Sequence, residues 1–147
     1  EVRRRTDFNC RSVFLPIIRN DLPELFDVFD FANPHIATGE RPKTTVPTQG
    51  LFMLNDSMVM AAAEATAKRI LAETSSQNSQ SVDDRIDRMY QLIVGAQPTN
   101  NERQALRSYL EQTSAGLKPT AGDDTEVRAL ALACHAVFAS SRFQFLE

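Results

Sequence analysis

The chain has 147 residues, of which 42% are hydrophobic and 24% charged, and its formal net charge is -3. That length suits one ordinary domain with a real core. The balance of residues argues against global disorder, and the net charge gives no bulk attraction to the phosphates of a nucleic acid, so no nucleic-acid partner is expected.

Elements can be predicted in chain order. Glu1-Val2-Arg3-Arg4-Arg5 reads as mid-domain sequence with no apolar leader, so the expectation is a piece of a longer protein. Five of the seven prolines (Pro16, Pro23, Pro34, Pro42, Pro47) precede Asn55, so residues 1–55 should form a Pro-rich, largely extended arm. Residues 56–147 should form a helical bundle. Within the arm, Ser12-Val13-Phe14-Leu15 leans towards a strand that Pro16 ends. Asp21 to Phe29 predicts a short helix capped by Asn20 or Asp21, with Leu22, Leu25, Phe26 and Phe29 on one face. Ala32 to Val46 is a loop with Asn33-Pro34 and Thr38-Gly39 turn signals.

A short helix is expected over Pro47 to Leu54, then a long one over about Asp56 to Glu73 capped by Asn55. Its Met60, Ala63, Ala67, Ile70 and Leu71 follow helical spacing. Thr74 to Gln80 is a polar linker. Ser81-Val82-Asp83-Asp84 resembles a capping box and opens a helix striped by Val82, Ile86, Met89, Tyr90 and Ile93, with Asp84 and Arg88 placed to pair. Gly95 ends it. Thr99-Asn100-Asn101-Glu102 is a second capping box, starting a helix to about Gln112, and Ser114 to Gly122 is a loop. A last helix over about Asp124 to Ser140 carries Val127, Leu130, Ala131, Cys134, Val137 and Phe138. Phe143, Phe145 and Leu146 form an apolar tail expected to dock on the bundle. The longest apolar run, Ala129 to Ala139, is too short to span a bilayer. The fold class is therefore all-α: an irregular bundle of five or six helices, forming a single domain over 1–147 or the C-terminal part of a larger one. The predicted core is Phe14, Leu15, Phe26, Phe29, Phe52, Leu54, Ile86, Tyr90, Leu110, Leu130, Cys134, Phe138 and Phe143.

Chemistry-bearing residues are sparse. No His or Cys pair has metal-ligand spacing, and the adjacent Cys134 and His135 point about 100° apart on a helix, so no metal site is expected. Cys10 and Cys134 read as two separate thiols, with one bridge in an oxidising compartment as the alternative. Covalent haem attachment needs Cys-x-x-Cys-His, which the chain lacks, so no cofactor is expected within it. His35, beside Thr38 and Glu40, is the one loop His placed to act as a general base; the simpler reading is a solvated turn residue. Polysaccharide hydrolysis would need paired carboxylates, for which Asp27 with Asp30 or Glu40 with Asp21 are the candidates. Arg3, Arg4, Arg5, Arg11 and Arg19 form the one cationic cluster. It suits either an interaction surface for anions or pairing with Asp21, Glu24, Asp27 and Asp30.

Several motifs together resemble a known family. They are Arg11-Ser12-Val13-Phe14-Leu15-Pro16, Phe29-Asp30-Phe31, Thr38-Gly39 and above all Thr44-Thr45-Val46-Pro47-Thr48-Gln49 with Leu51-Phe52-Met53-Leu54-Asn55. Arg88-Met89-Tyr90, Gly95 with Pro98-Thr99, and Cys134 to Ser140 with Phe143 to Glu147 extend the likeness. The chain resembles the C-terminal part of the planctomycete-specific domain of unknown function that accompanies planctomycete cytochrome c domains. Cys10 in place of Arg, Gly50 in place of Ala, Ala96-Gln97 in place of an Arg-rich step and Ser141-Arg142 in place of Asn-Glu depart from its pattern. The resemblance implies an exported, periplasmic or cell-envelope protein with a haem domain elsewhere in the chain. It brings no catalytic set. The leading expectation is a non-catalytic structural or interaction module, whose partners would be the N-terminal remainder of its own protein or a second copy. Part of an envelope enzyme acting on polysaccharide, and a docking surface for the protein's own haem domain, are the alternatives.

Overall fold

A computed structural model of the chain describes residues 12–18, 20–37, 39, 47–76, 81–116 and 125–145. They form seven α-helices, and among the described residues there is no strand: α1 (Glu24–Val28), α2 (Pro47–Asn55), α3 (Ser57–Ser76), α4 (Val82–Ile93), α5 (Asn100–Gly116), α6 (Thr125–Phe138) and α7 (Ser141–Gln144). The all-α expectation holds, with α7 a short helix where only an apolar tail was predicted. The chain divides into two compact units, Glu1–Phe52 and Met53–Glu147.

In the first unit, Ser12–Phe14 is a 3-10 turn closed by the Leu15 N–H donating to the Ser12 carbonyl at 3.1 Å, not the predicted strand. Pro16 shortens the run too far for pairing, and the backbone makes one isolated bridge, Ile18 to Asp21. Helix α1 begins three residues later than Asp21 suggested. Pro23 takes the N-cap position, so neither Asn20 nor Asp21 caps it.

The exit from α1 has a specific geometry. Asp30 has φ 54°, a left-handed conformation usually given to glycine. It lets the Phe31 N–H donate back to the Phe26 carbonyl at 2.9 Å, the long bond of a Schellman ending. The same reversal stacks the Phe31 ring on Phe26, centroids 4.8 Å apart. Phe29 meets Phe52 edge to face at 5.8 Å, and the buried Gln49 amide of α2 donates to the Val28 carbonyl at 3.2 Å. The Asn33-Pro34 turn forms as read, with Ile36 N–H donating to the Asn33 carbonyl at 3.2 Å. Thr38 and the rest of the predicted loop from residue 40 to 46 lie outside the described residues.

The second unit is the bundle. Its core is Ala63, Ala67 and Ile70 of α3, Ile86, Met89, Tyr90 and Ile93 of α4, Leu110 of α5, and Ala129, Leu130, Ala133, Cys134 and Val137 of α6. The alanines explain why α3 and α6 form the most extensive helix pair: small side chains let two axes approach closely. Asp56, not Asn55, caps α3. Its Oδ1 accepts from the Met58 and Val59 N–H groups at 2.9 and 3.4 Å, while Asn55 ends α2. Thr99 and Glu102 form the predicted capping box at α5. The Thr99 hydroxyl accepts from Glu102 N–H at 3.3 Å, and the Glu102 carboxylate accepts from Thr99 N–H at 2.7 Å. At α4, Ser81 Oγ accepts from Asp84 N–H at 3.1 Å, and the Ser81 hydroxyl donates to the Asp84 carboxylate at 2.6 Å. Helix α5 runs four residues past the expected Gln112. Gly95, φ 76°, ends α4 by donating to the Tyr90 carbonyl at 3.0 Å.

Three predicted core residues face solvent instead. Phe14 is 74% exposed because it sits in a turn, and Leu54 is 50% exposed because it lies on the outer side of α2. Phe143 is also exposed, although it packs edge to face on Phe138 at 5.0 Å.

Candidate functional site

Two concave surfaces stand out, one in each unit. In the bundle, α3 and α6 leave a groove of about 400 Å³. Met60, Ala63, Val127, Ala131 and Leu132 give it an apolar lining, and Glu64, Arg128 and His135 supply its polar groups. The lining follows from helical periodicity: 60, 63 and 64 share one face of α3, and 127, 128, 131, 132 and 135 share one face of α6. Met60 belongs to the predicted stripe of α3 but is exposed. Glu64 is bound to Lys68 at 2.5 Å. His135 is half-buried, and its Nε2 lies 3.0 Å from the Met53 carbonyl in the last turn of α2. That bond joins residues 82 apart in sequence, and no local pattern announces it.

Around the bundle, charges bind helix to helix. Arg88 of α4 holds Glu73 of α3 at 2.6 Å, Arg103 of α5 holds Asp87 at 2.6 Å, and Arg107 of α5 holds Asp83. Arg85 holds Glu126 of α6 at 2.6 Å, and Arg142 of α7 holds Glu102 at 2.7 Å. Arg88 thus reaches across to α3, where local spacing had suggested Asp84. Hydrogen bonds from Arg88 and Arg69 lower the Glu73 carboxyl to about 2. Burial would raise Glu102, but hydrogen bonds from Thr99 and Arg142 outweigh it and hold the carboxyl below its ordinary value. Burial, helped by the Glu102 charge, pushes the Tyr90 hydroxyl up to about 12, and the Arg142 guanidinium lies 5.7 Å from the Tyr90 ring centre. Burial likewise pushes the Cys134 thiol up to about 12. Cys134 is a free, fully buried core thiol.

In the first unit a cup of about 390 Å³ is lined by Ser12, Val13, Leu25, Phe26, Phe29 and Phe31. The Schellman turn at Asp30 builds it, since that reversal brings Phe31 back over α1.

Among the described residues, none of the predicted site residues lines either surface. Arg3, Arg4, Arg5, Arg11 and Arg19 lie outside the described residues, as do Cys10 and Glu40. His35 is exposed in the Asn33 turn, its N–H donating to Asn33 Oδ1 at 2.9 Å. Asp21 and Asp27 are exposed and Asp30 half-buried. Among the described residues no group of three or more His, Cys, Asp or Glu is placed to hold a metal ion, and no helix is long and apolar enough to cross a membrane.

Fold and surfaces together define an all-α module whose described charges largely knit its helices and whose concave surfaces are mainly apolar. Residues 2–110 match the model of the family described as "PSD1: Protein of unknown function (DUF1553)", and the chain belongs to that family. The match takes in the Thr44 to Asn55 motif and ends at Leu110, so α6 and the closing segment lie beyond it. No curated protein and no solved structure matches the chain.

Proposed function

We propose that this chain is a non-catalytic interaction module of a larger exported, cell-envelope protein that carries a cytochrome c domain elsewhere, and that the α3–α6 groove receives the N-terminal remainder of that protein. The observation that carries the reading is the groove itself. Met60 and Leu132 are large apolar side chains left exposed beside a concave, apolar floor, the usual character of a surface that a partner covers. Membership of a family of unknown function accords with a module. The export, planctomycete and haem elements of the proposal rest on the motif resemblance.

The test is to express the remainder of the gene product separately and measure its binding to this chain by calorimetry. Leu132→Asp, on an exposed position, should leave the helical spectrum intact and weaken binding at least tenfold. No binding by the wild-type chain, or binding indifferent to this change, rejects the groove as the contact. A Cys-x-x-Cys-His and an export signal in the full gene product are the expected companions, and their absence would reject the haem and envelope setting.

A further inference from the structure

We infer that the first unit pairs with a second copy of this chain by exchanging Phe14 rings, each ring entering the aromatic cup of the other copy. The groove in the bundle plays no part in this contact.

The first observation is an apolar run that the fold does not bury. Val13 and Phe14 are 76% and 74% exposed, and Ile17 and Ile18 are exposed as well. Four large apolar side chains facing water within six consecutive residues make an association surface.

The second observation is a socket beside the knob. Ser12 and Val13 line the cup, yet Phe14, the next residue, is not part of its wall. In a 3-10 turn successive side chains diverge by about 120°, so Ser12 and Val13 can border the cup while Phe14 points elsewhere. The socket has Phe26, Phe29 and Phe31 in its wall, a composition that favours an aromatic ring over a polar guest. A projecting ring and an aromatic socket on one patch are self-complementary. That is the requirement of a two-fold interface, in which residue i of one copy meets residue j of the other and j meets i.

Charge does not oppose the pairing. Residues 1–52 carry seven cationic and seven anionic side chains, so two such units meet without net repulsion. The cup also argues against a flat bilayer as the occupant, since a lipid surface would engage the projecting ring and leave the socket unused.

Sedimentation equilibrium of the full chain, from low micromolar to near-millimolar concentration, tests the inference. The wild type should show a monomer–dimer equilibrium. Phe14→Ala, at an exposed position, should weaken it at least tenfold with an unchanged helical spectrum. Ser12→Trp, which fills the cup, should weaken it similarly. Mixing the two variants should restore part of the association, because one copy keeps its socket and the other its ring. A wild type that stays monomeric, including one that instead sediments with anionic vesicles, overturns the inference. So does a dimer indifferent to both changes, or variants that each lose the dimer but do not rescue one another.

Discussion

The two units differ in how far they bury their apolar residues. In the bundle, a long helix supplies a stripe, a partner helix supplies small side chains, and Ile70, Ile86, Met89 and Cys134 become inaccessible to solvent. In the first unit, prolines cut the chain into pieces too short for such stripes, and Val13, Phe14, Ile17, Ile18, Ile36 and Leu51 remain exposed. Where helical periodicity can run, a sealed core forms beneath exposed residues such as Met60 and Leu132; where it cannot, Phe26 is buried but most of the apolar run stays open.

The contrast breaks most visibly at Met89. Met89→Ala should cost about 2–5 kcal/mol in chemical denaturation, the range for emptying a buried site. A loss below about 1 kcal/mol would mean that the bundle is no better sealed than the first unit. Thr99→Ala removes a reciprocal capping box and should cost about 1 kcal/mol in chemical denaturation. A loss near zero would show that this cap adds nothing to the fold.

A gentler effect comes with pH. The Glu73 carboxyl sits near 2 in the folded chain and close to the ordinary glutamate value when unfolded. Its contribution is therefore fully present above about pH 5 and drains away as pH falls towards 2. Glu73→Gln should flatten that part of the stability profile. Tyr90 works in the opposite sense. Its hydroxyl is raised to about 12, so its contribution is present below about pH 10 and is lost as pH climbs through 12. An ultraviolet titration should show a tyrosine ionising near 12 that Tyr90→Phe removes.

In the first unit, Asp30→Gly relieves a left-handed residue and should stabilise the α1 exit by up to about 1 kcal/mol. Phe14→Ala should change monomer stability by less than about 0.5 kcal/mol.

The bundle was legible because its signals are local. The Ile86–Met89–Tyr90–Ile93 stripe, the Thr99 box and the Gly95 stop each lie within one or two helical turns. What escaped depends on the third dimension. The Arg88–Glu73 pair and the His135–Met53 bond join residues far apart in sequence, and no spacing rule reaches them. The capping of α3 turned on one residue, since Asn55 and Asp56 are both competent and α2 consumed the first. Phe14 differs for another reason: an apolar residue is buried only where a neighbour covers it, and the three-residue turn Ser12–Phe14 leaves its ring exposed. Of the candidate site, Met60, Ala63, Val127 and Ala131 were visible as stripe members, while Leu132, Glu64, Arg128 and His135 were not, because a groove between two helices also takes in the residues that flank each stripe.

Cys134 sits where α3, α4 and α6 meet, wholly enclosed and with its proton held tightly. A thiolate can be alkylated only after the helices part. In a Cys10→Ser background, the speed at which a thiol reagent marks Cys134 would therefore clock how often the bundle breathes open, without any foreign label.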